Sequence, residues 1–272
     1  MNALLVSVAL LLAPVHDTKH DSPVPAPHES LVAIVKGLRA NDLKGAFLAS
    51  VGEAQYAEFR SSWEEQRKTA VDPAQDGQFR VVMAMLVAPG AEDALMAQLE
   101  PKLAEMKPQV AMLAGMISGM GQTMLQQNAD MSAGERAQAQ RMLDALGQHL
   151  MTHDLTDPAS ARKAVGILCT TARKLELASL SDVQALSFDG LLGKVGVAFG
   201  GLKGMLEVYG ISLDRSLDTF RAETVSQSED SAVVRVRFEF LGVEASSEVE
   251  LVKSGFDWLP KPKADALAAL GR

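Results

Sequence analysis

Between Glu29 and Gly210 apolar side chains recur every three or four residues, and beyond about Phe220 they alternate with polar ones. A period near 3.6 marks helices with one buried face. A period of two marks strands with one face on a core. The chain therefore predicts an α+β fold, a multi-helix N-terminal region packed with a C-terminal antiparallel β-meander of three or four strands.

The helical stripes are explicit. Leu31, Ile34, Val35 and Leu38 form the first, Leu43, Phe47 and Leu48 the second. Tyr56, Phe59 and Trp63 share one face opposite Glu58, Glu65, Arg67 and Lys68, which reads as a packed core face. Phe79, Val82, Met83 and Leu86 follow, then Leu95, Leu99, Leu103 and Met106. Pro101 falls inside that last stripe and predicts a kink or a break, because proline lacks the N–H and clashes with the preceding turn. Starts are signalled by Asp72-Pro73, by Ser132 with Glu135, by Asp157-Pro158, and by a capping box over Ser181–Gln184. Asp189 to Tyr209 predicts the last long helix, with Leu192, Val195, Phe199, Leu202 and Leu206 buried and Gly210 closing it. Gly196, Gly200 and Gly204 line an adjacent face. Glycine weakens a helix, so three in register predict close packing against another helix.

The segment Gln109–Asn128 carries no Lys, Arg, Asp or Glu. Met112, Met116, Met120 and Met124 recur at i+4, beside Ala111, Gly115 and Gly119. The pattern predicts a central helix buried on most sides. Two alternatives stand beside it: a methionine-lined apolar groove, and a membrane span, against which Gln122, Gln126 and Gln127 count.

In the β region Val234, Val236, Phe238 and Phe240 alternate with Arg235, Arg237 and Glu239, and Val249 and Leu251 with Glu248 and Glu250. Ser254-Gly255 is a turn, Phe256–Leu259 a returning strand, and Phe220–Val225 a candidate first strand. From Phe220 to Leu259 this pattern resembles the closing strands of the NTF2-like fold. That likeness implies more sheet than this segment supplies, and it carries over no residue of a family motif.

The N-terminus changes the picture of where the protein works. The apolar run from Ala3 to Ala13 suits a signal-peptide core and is too short to span a bilayer. A proline-spaced polar stretch, Asp21-Ser22-Pro23-Val24-Pro25-Ala26-Pro27, follows. No Lys or Arg precedes the run, and no A-x-A site closes it. The expected layout is residues 1–15 as signal peptide or N-terminal anchor, 16–28 as a Pro-rich linker, 29–210 as the helical region, 211–260 as the meander of the same compact unit, and 261–272 as a tail. A mature chain is expected to begin between Val15 and Ser30. The compartment is then periplasm or extracellular space, with membrane contact at most through the N-terminal segment.

Length and composition allow a substantial core: 272 residues, 47% of them hydrophobic and 22% charged. Net charge is −8 with no basic run, so nothing favours a nucleic-acid partner. Cys169 is the single cysteine, which excludes an intrachain disulfide. Its apolar setting reads as an inert buried thiol.

Candidate chemistry is sparse. His149, His153 and Asp154 form the best local group, two imidazoles one helical turn apart at a helix end, where a capping role competes with metal binding. His16, His20 and His28 fall in or beside the linker, where they could hold a metal only by ordering a flexible segment around it, and they are not taken as ligands. Gly190-Leu191-Leu192-Gly193-Lys194-Val195-Gly196 has a phosphate-loop look. It lacks the Ser or Thr after the Lys, and it follows helical sequence rather than a strand. No catalytic, cofactor-binding or metal-ligating residue is assigned, and no cofactor is expected. The leading expectation is a non-catalytic exported protein that binds a protein partner or an apolar ligand. The alternatives are an envelope hydrolase with a dispersed carboxylate or histidine site, and a cytoplasmic structural protein.

Overall fold

The computed structural model describes residues 25–127, 132–255 and 257–261. Among them run ten helices: α1 (Pro27–Ala40), α2 (Leu43–Gln66), α3 (Pro73–Val87), α4 (Ala91–Met106), α5 (Val110–Gln127), α6 (Ala133–Thr152), α7 (Pro158–Leu175), α8 (Leu180–Ala185), α9 (Phe188–Val208) and α10 (Leu213–Asp218). Four strands follow, β1 (Arg221–Gln227), β2 (Ser231–Phe240), β3 (Val243–Ser254) and β4 (Asp257–Pro260), in one antiparallel sheet of sequential order. The fold is α+β, helices first and meander last. No further strand precedes the sheet among the described residues, so it is smaller than an NTF2-like one.

Side-chain caps set the helix starts, satisfying N–H groups that have no partner inside the helix. Asp72 accepts from Ala74 N and Gln75 N, Ser132 from Glu135 N, and Asp157 from Ser160 N. The capping box near Ser181 sits two residues earlier than expected. Ser179 caps α8, and Asp182 returns to the Ser179 N–H at 2.8 Å. α1 begins at Pro27, inside the expected linker, with Glu29 reaching back to the Ala26 N–H at 2.8 Å. Gly52, at φ 76° and ψ 167°, breaks α2 into two pieces, a conformation that glycine adopts without steric cost.

Three apolar clusters join the described residues. Met83, Leu86, Met96, Leu103, Val165 and Cys169 join α3, α4 and α7. Leu31 of α1 packs on the sheet through Val234, Val236, Leu251 and Trp258. Val51, Tyr56 and Phe188 join α2 to α9, with Phe47, Phe59 and Trp63 around them, so the aromatic stripe is a core face.

Several expectations change. Val82 is 48% exposed and Met106 43%, while Met96 is fully buried in their stead. α4 runs unbroken through Pro101. Pro101 and Ala97 are both exposed, so the carbonyl that loses its intrahelical donor can meet water. On α9, Val195 and Leu202 are exposed, and the buried line instead carries Gly196, Gly201 and Lys203. A Cβ on Gly196 would lie 2.3 Å from the Asn41 carbonyl oxygen, and one on Gly201 2.3 Å from Thr171 Oγ1. The glycine face thus packs on the α1–α2 turn and on α7. α10 lies within the expected meander region as an additional helix.

Among the described residues β4 pairs only with Leu251–Ser254 of β3. Along the earlier part of β3 the place of a further strand is taken by α6, whose Gln138 Oε1 accepts from the Ser246 N–H at 2.9 Å.

Candidate functional site

α5 is an 18-residue helix without a charged side chain. Its packing partner is α6, with which it forms a hairpin. The 3-10 turn Lys107–Gln109 leads into it. The inward side is tight at Gly121, where a Cβ would lie 2.5 Å from Leu143 Cδ2. The opposite side carries Met112, Met116, Met120 and Met124, exposed by 67%, 53%, 60% and 70%. The expectation of a helix buried on most sides is corrected. The lack of charge read as burial, whereas among the described residues α5 has one main neighbour and these four thioethers face outward. Gly115 and Gly119 have open space where a Cβ would stand. No helix of the described residues is long and apolar enough to cross a membrane.

His149 and His153 stack at the C-terminal end of α6, with ring centroids 3.7 Å apart and planes 22° from parallel. His149 Nε2 donates to the Tyr209 carbonyl at 2.7 Å. His153 Nδ1 faces the His149 carbonyl at 3.1 Å. A carbonyl can only accept, so each ring uses one nitrogen as an N–H donor and keeps a lone pair on the other when neutral. The pair fastens the end of α6 to the turn after α9.

Asp154 does not join them. Its carboxylate accepts from the Thr156 hydroxyl at 2.6 Å and the Thr156 N–H at 3.0 Å, and pairs with Lys107 at 3.0 Å. Those donors hold its pKa down at about 2. Among the described residues no group of three His, Cys, Asp or Glu is placed to hold a metal ion.

The histidines instead line an open cavity of about 470 Å³ with Arg215 and Thr219 of the α10 segment and Glu239 of β2. The hydroxyls here are engaged. Thr152 donates to the Gln148 carbonyl at 2.9 Å, Ser216 to Ser212 at 3.3 Å, and Thr219 to Ser216 at 2.7 Å. A nucleophile needs a base positioned to take its proton. Thr152 Oγ1 is 3.3 Å from His153 Nδ1, the ring nitrogen already facing a carbonyl.

The remaining sequence candidates have structural settings. Cys169 is fully buried, and burial raises its thiol pKa. Gly190–Gly196 lies within the first turns of α9, not in a loop, and Lys194 pairs with Glu176 at 3.2 Å. His28 sits in the first turn of α1 with Nδ1 3.2 Å from Thr224 Oγ1. His16 and His20 lie outside the described residues.

Sequence reasoning missed Lys203. It is only 6% exposed, and its ammonium reaches the carbonyls of Leu38 at 3.2 Å and Arg39 at 3.0 Å and pairs with Asp214. A cation on the last carbonyls of α1 complements the helix dipole. A Lys among small residues on a helix was the available signal, but its carbonyl partners lie more than 160 residues away in sequence.

Family models, curated proteins and solved structures were compared with the chain, and none matches.

Proposed function

We propose that the protein is a non-catalytic exported protein that binds a protein partner through the methionine face of α5. The observation that supports this most is the outward placement of Met112, Met116, Met120 and Met124 on a helix with no charge. Unbranched thioether side chains adapt to the shape of an apolar partner. The open Gly115 and Gly119 beside them leave room for a close approach of a second helix. An uncharged face gives a charged partner nothing to pair with. The occupant is therefore the apolar side of an amphipathic helix, laid along a contact about 27 Å long.

Export rests on the run Ala3–Ala13, which lies outside the described residues. Because Glu29 caps α1 from its first turn, the mature chain is expected to begin before Pro27. Fractionation with N-terminal sequencing of the product reads this directly.

The partner surface is tested by placing a photo-crosslinking amino acid at position 116, and separately at position 225, where Val225 is 44% exposed on β1. In cells that produce the protein, position 116 should give one defined adduct with another polypeptide, and position 225 should not. Changing Met112, Met120 and Met124 to Gln should abolish that adduct. Equal adducts at both positions, none at 116, or an adduct only with a second copy of the chain would contradict the proposal.

A further inference from the structure

The cavity at the end of α6 has a charge arrangement that neither the fold nor the α5 surface explains. Arg215 and Glu239 both line it. Neither forms an ion pair among the described residues. Of the charges nearby, Arg39 pairs with Asp214 and Asp218 and Lys203 with Asp214, whereas Glu244, opposite Glu239 on β3, likewise forms no ion pair among the described residues. Arg215 and Glu239, both exposed, thus contribute a cation and an anion to the lining of one cavity without an ion pair between them. His149 and His153 add one lone-pair nitrogen each when neutral, since their N–H groups go to backbone carbonyls. Phe240 and Leu241 add apolar side chains to the same lining. Leu241 holds φ 51° in the tight turn before Gly242, a position where asparagine or glycine is the ordinary choice. An apolar side chain is thus kept in the cavity lining where turn chemistry alone would select another.

We propose that this cavity binds a free α-amino acid with an apolar side chain. Arg215 takes its carboxylate, in the two-pronged geometry that guanidinium and carboxylate share. Glu239 and the imidazole lone pairs receive the ammonium group, and Leu241 meets the side chain. A volume of about 470 Å³ lies in the range of small-molecule sites. Simple anions lack a group for Glu239, and simple amines lack one for Arg215, so the arrangement selects a ligand carrying both charges. This site is separate from the α5 face, and the two readings stand or fall independently.

The test is isothermal titration of the full chain with L-leucine, glycine, acetate and isopentylamine. Leucine should bind, with glycine weaker, and acetate and isopentylamine weaker than leucine by about tenfold or more, as the loss of a charge-assisted hydrogen bond implies. Arg215→Gln and Glu239→Gln should each weaken leucine by a similar factor at an unchanged unfolding midpoint. Leu241→Asn, which suits the turn better, should leave glycine binding intact and remove the preference for leucine. The proposal is overturned if leucine gives no binding at millimolar concentration, if acetate or isopentylamine binds as well as leucine, or if folded Arg215→Gln or Glu239→Gln protein binds like the parent.

Discussion

At the scale of single residues the fold turns on close approaches that admit no side chain. Gly196 lies against the Asn41 carbonyl, and a Cβ on Gly200 would stand 3.0 Å from Asn41 Nδ2. Gly200→Leu should destabilise the protein by about 1–3 kcal/mol through overpacking. A denaturant titration reads this, and equal or higher stability would remove the packing role. The sequence made the glycine contact legible, because three glycines in one helix need a reason. It did not reveal that the neighbour is the α1–α2 turn, since the turn's position is set by tertiary packing. Lys203 was illegible for the same cause: its carbonyl partners belong to a helix near the other end of the chain.

At the scale of elements the periodicities transferred well where one face of a helix meets one neighbour. The aromatic stripe of α2 and the alternation in β2 are cases. They failed where local pattern and environment part company. Val195 and Leu202 fit a helical stripe, yet α9 buries its glycine face, which brings neighbouring backbone closer. Pro101 fits a break, yet exposure of its turn lets α4 continue. Continuity has a cost: proline in a helix interior is about 3 kcal/mol less favourable than alanine. Pro101→Ala should therefore raise stability by roughly 1–3 kcal/mol, seen as a higher denaturant midpoint with an unchanged slope. A lower midpoint would mean that Pro101 makes a contact its exposure does not suggest. The methionine helix was legible as an element, but not in its exposure, because lack of charge marks both a buried helix and a contact surface.

At the scale of the whole molecule, surface carboxylates tie the helices together across long sequence separations. Arg173 pairs with Glu92, bringing α7 to α4, and holds the Glu92 pKa at about 2. The Thr156 hydroxyl, with Lys107, holds Asp154 at about 2, and Arg80 lowers Asp76. A carboxylate whose folded pKa is depressed adds stability above its unfolded pKa, near 4. That stability is lost as pH falls through the folded value. Burial raises Asp257, which acts in the opposite sense. The depressed groups are the more numerous, so thermal midpoints should fall as pH is lowered from about 5 to about 2. A flat profile there would show that these pairs contribute nothing to folding. The central claim is the free methionine face, and oxidative footprinting tests it most directly. In the purified chain, mild peroxide should convert Met112, Met116, Met120 and Met124 to sulfoxides well before the buried Met83 and Met96. In the producing cells the same four should be protected by the bound partner. Four slow methionines in the purified chain, or four equally fast ones in cells, would contradict the account.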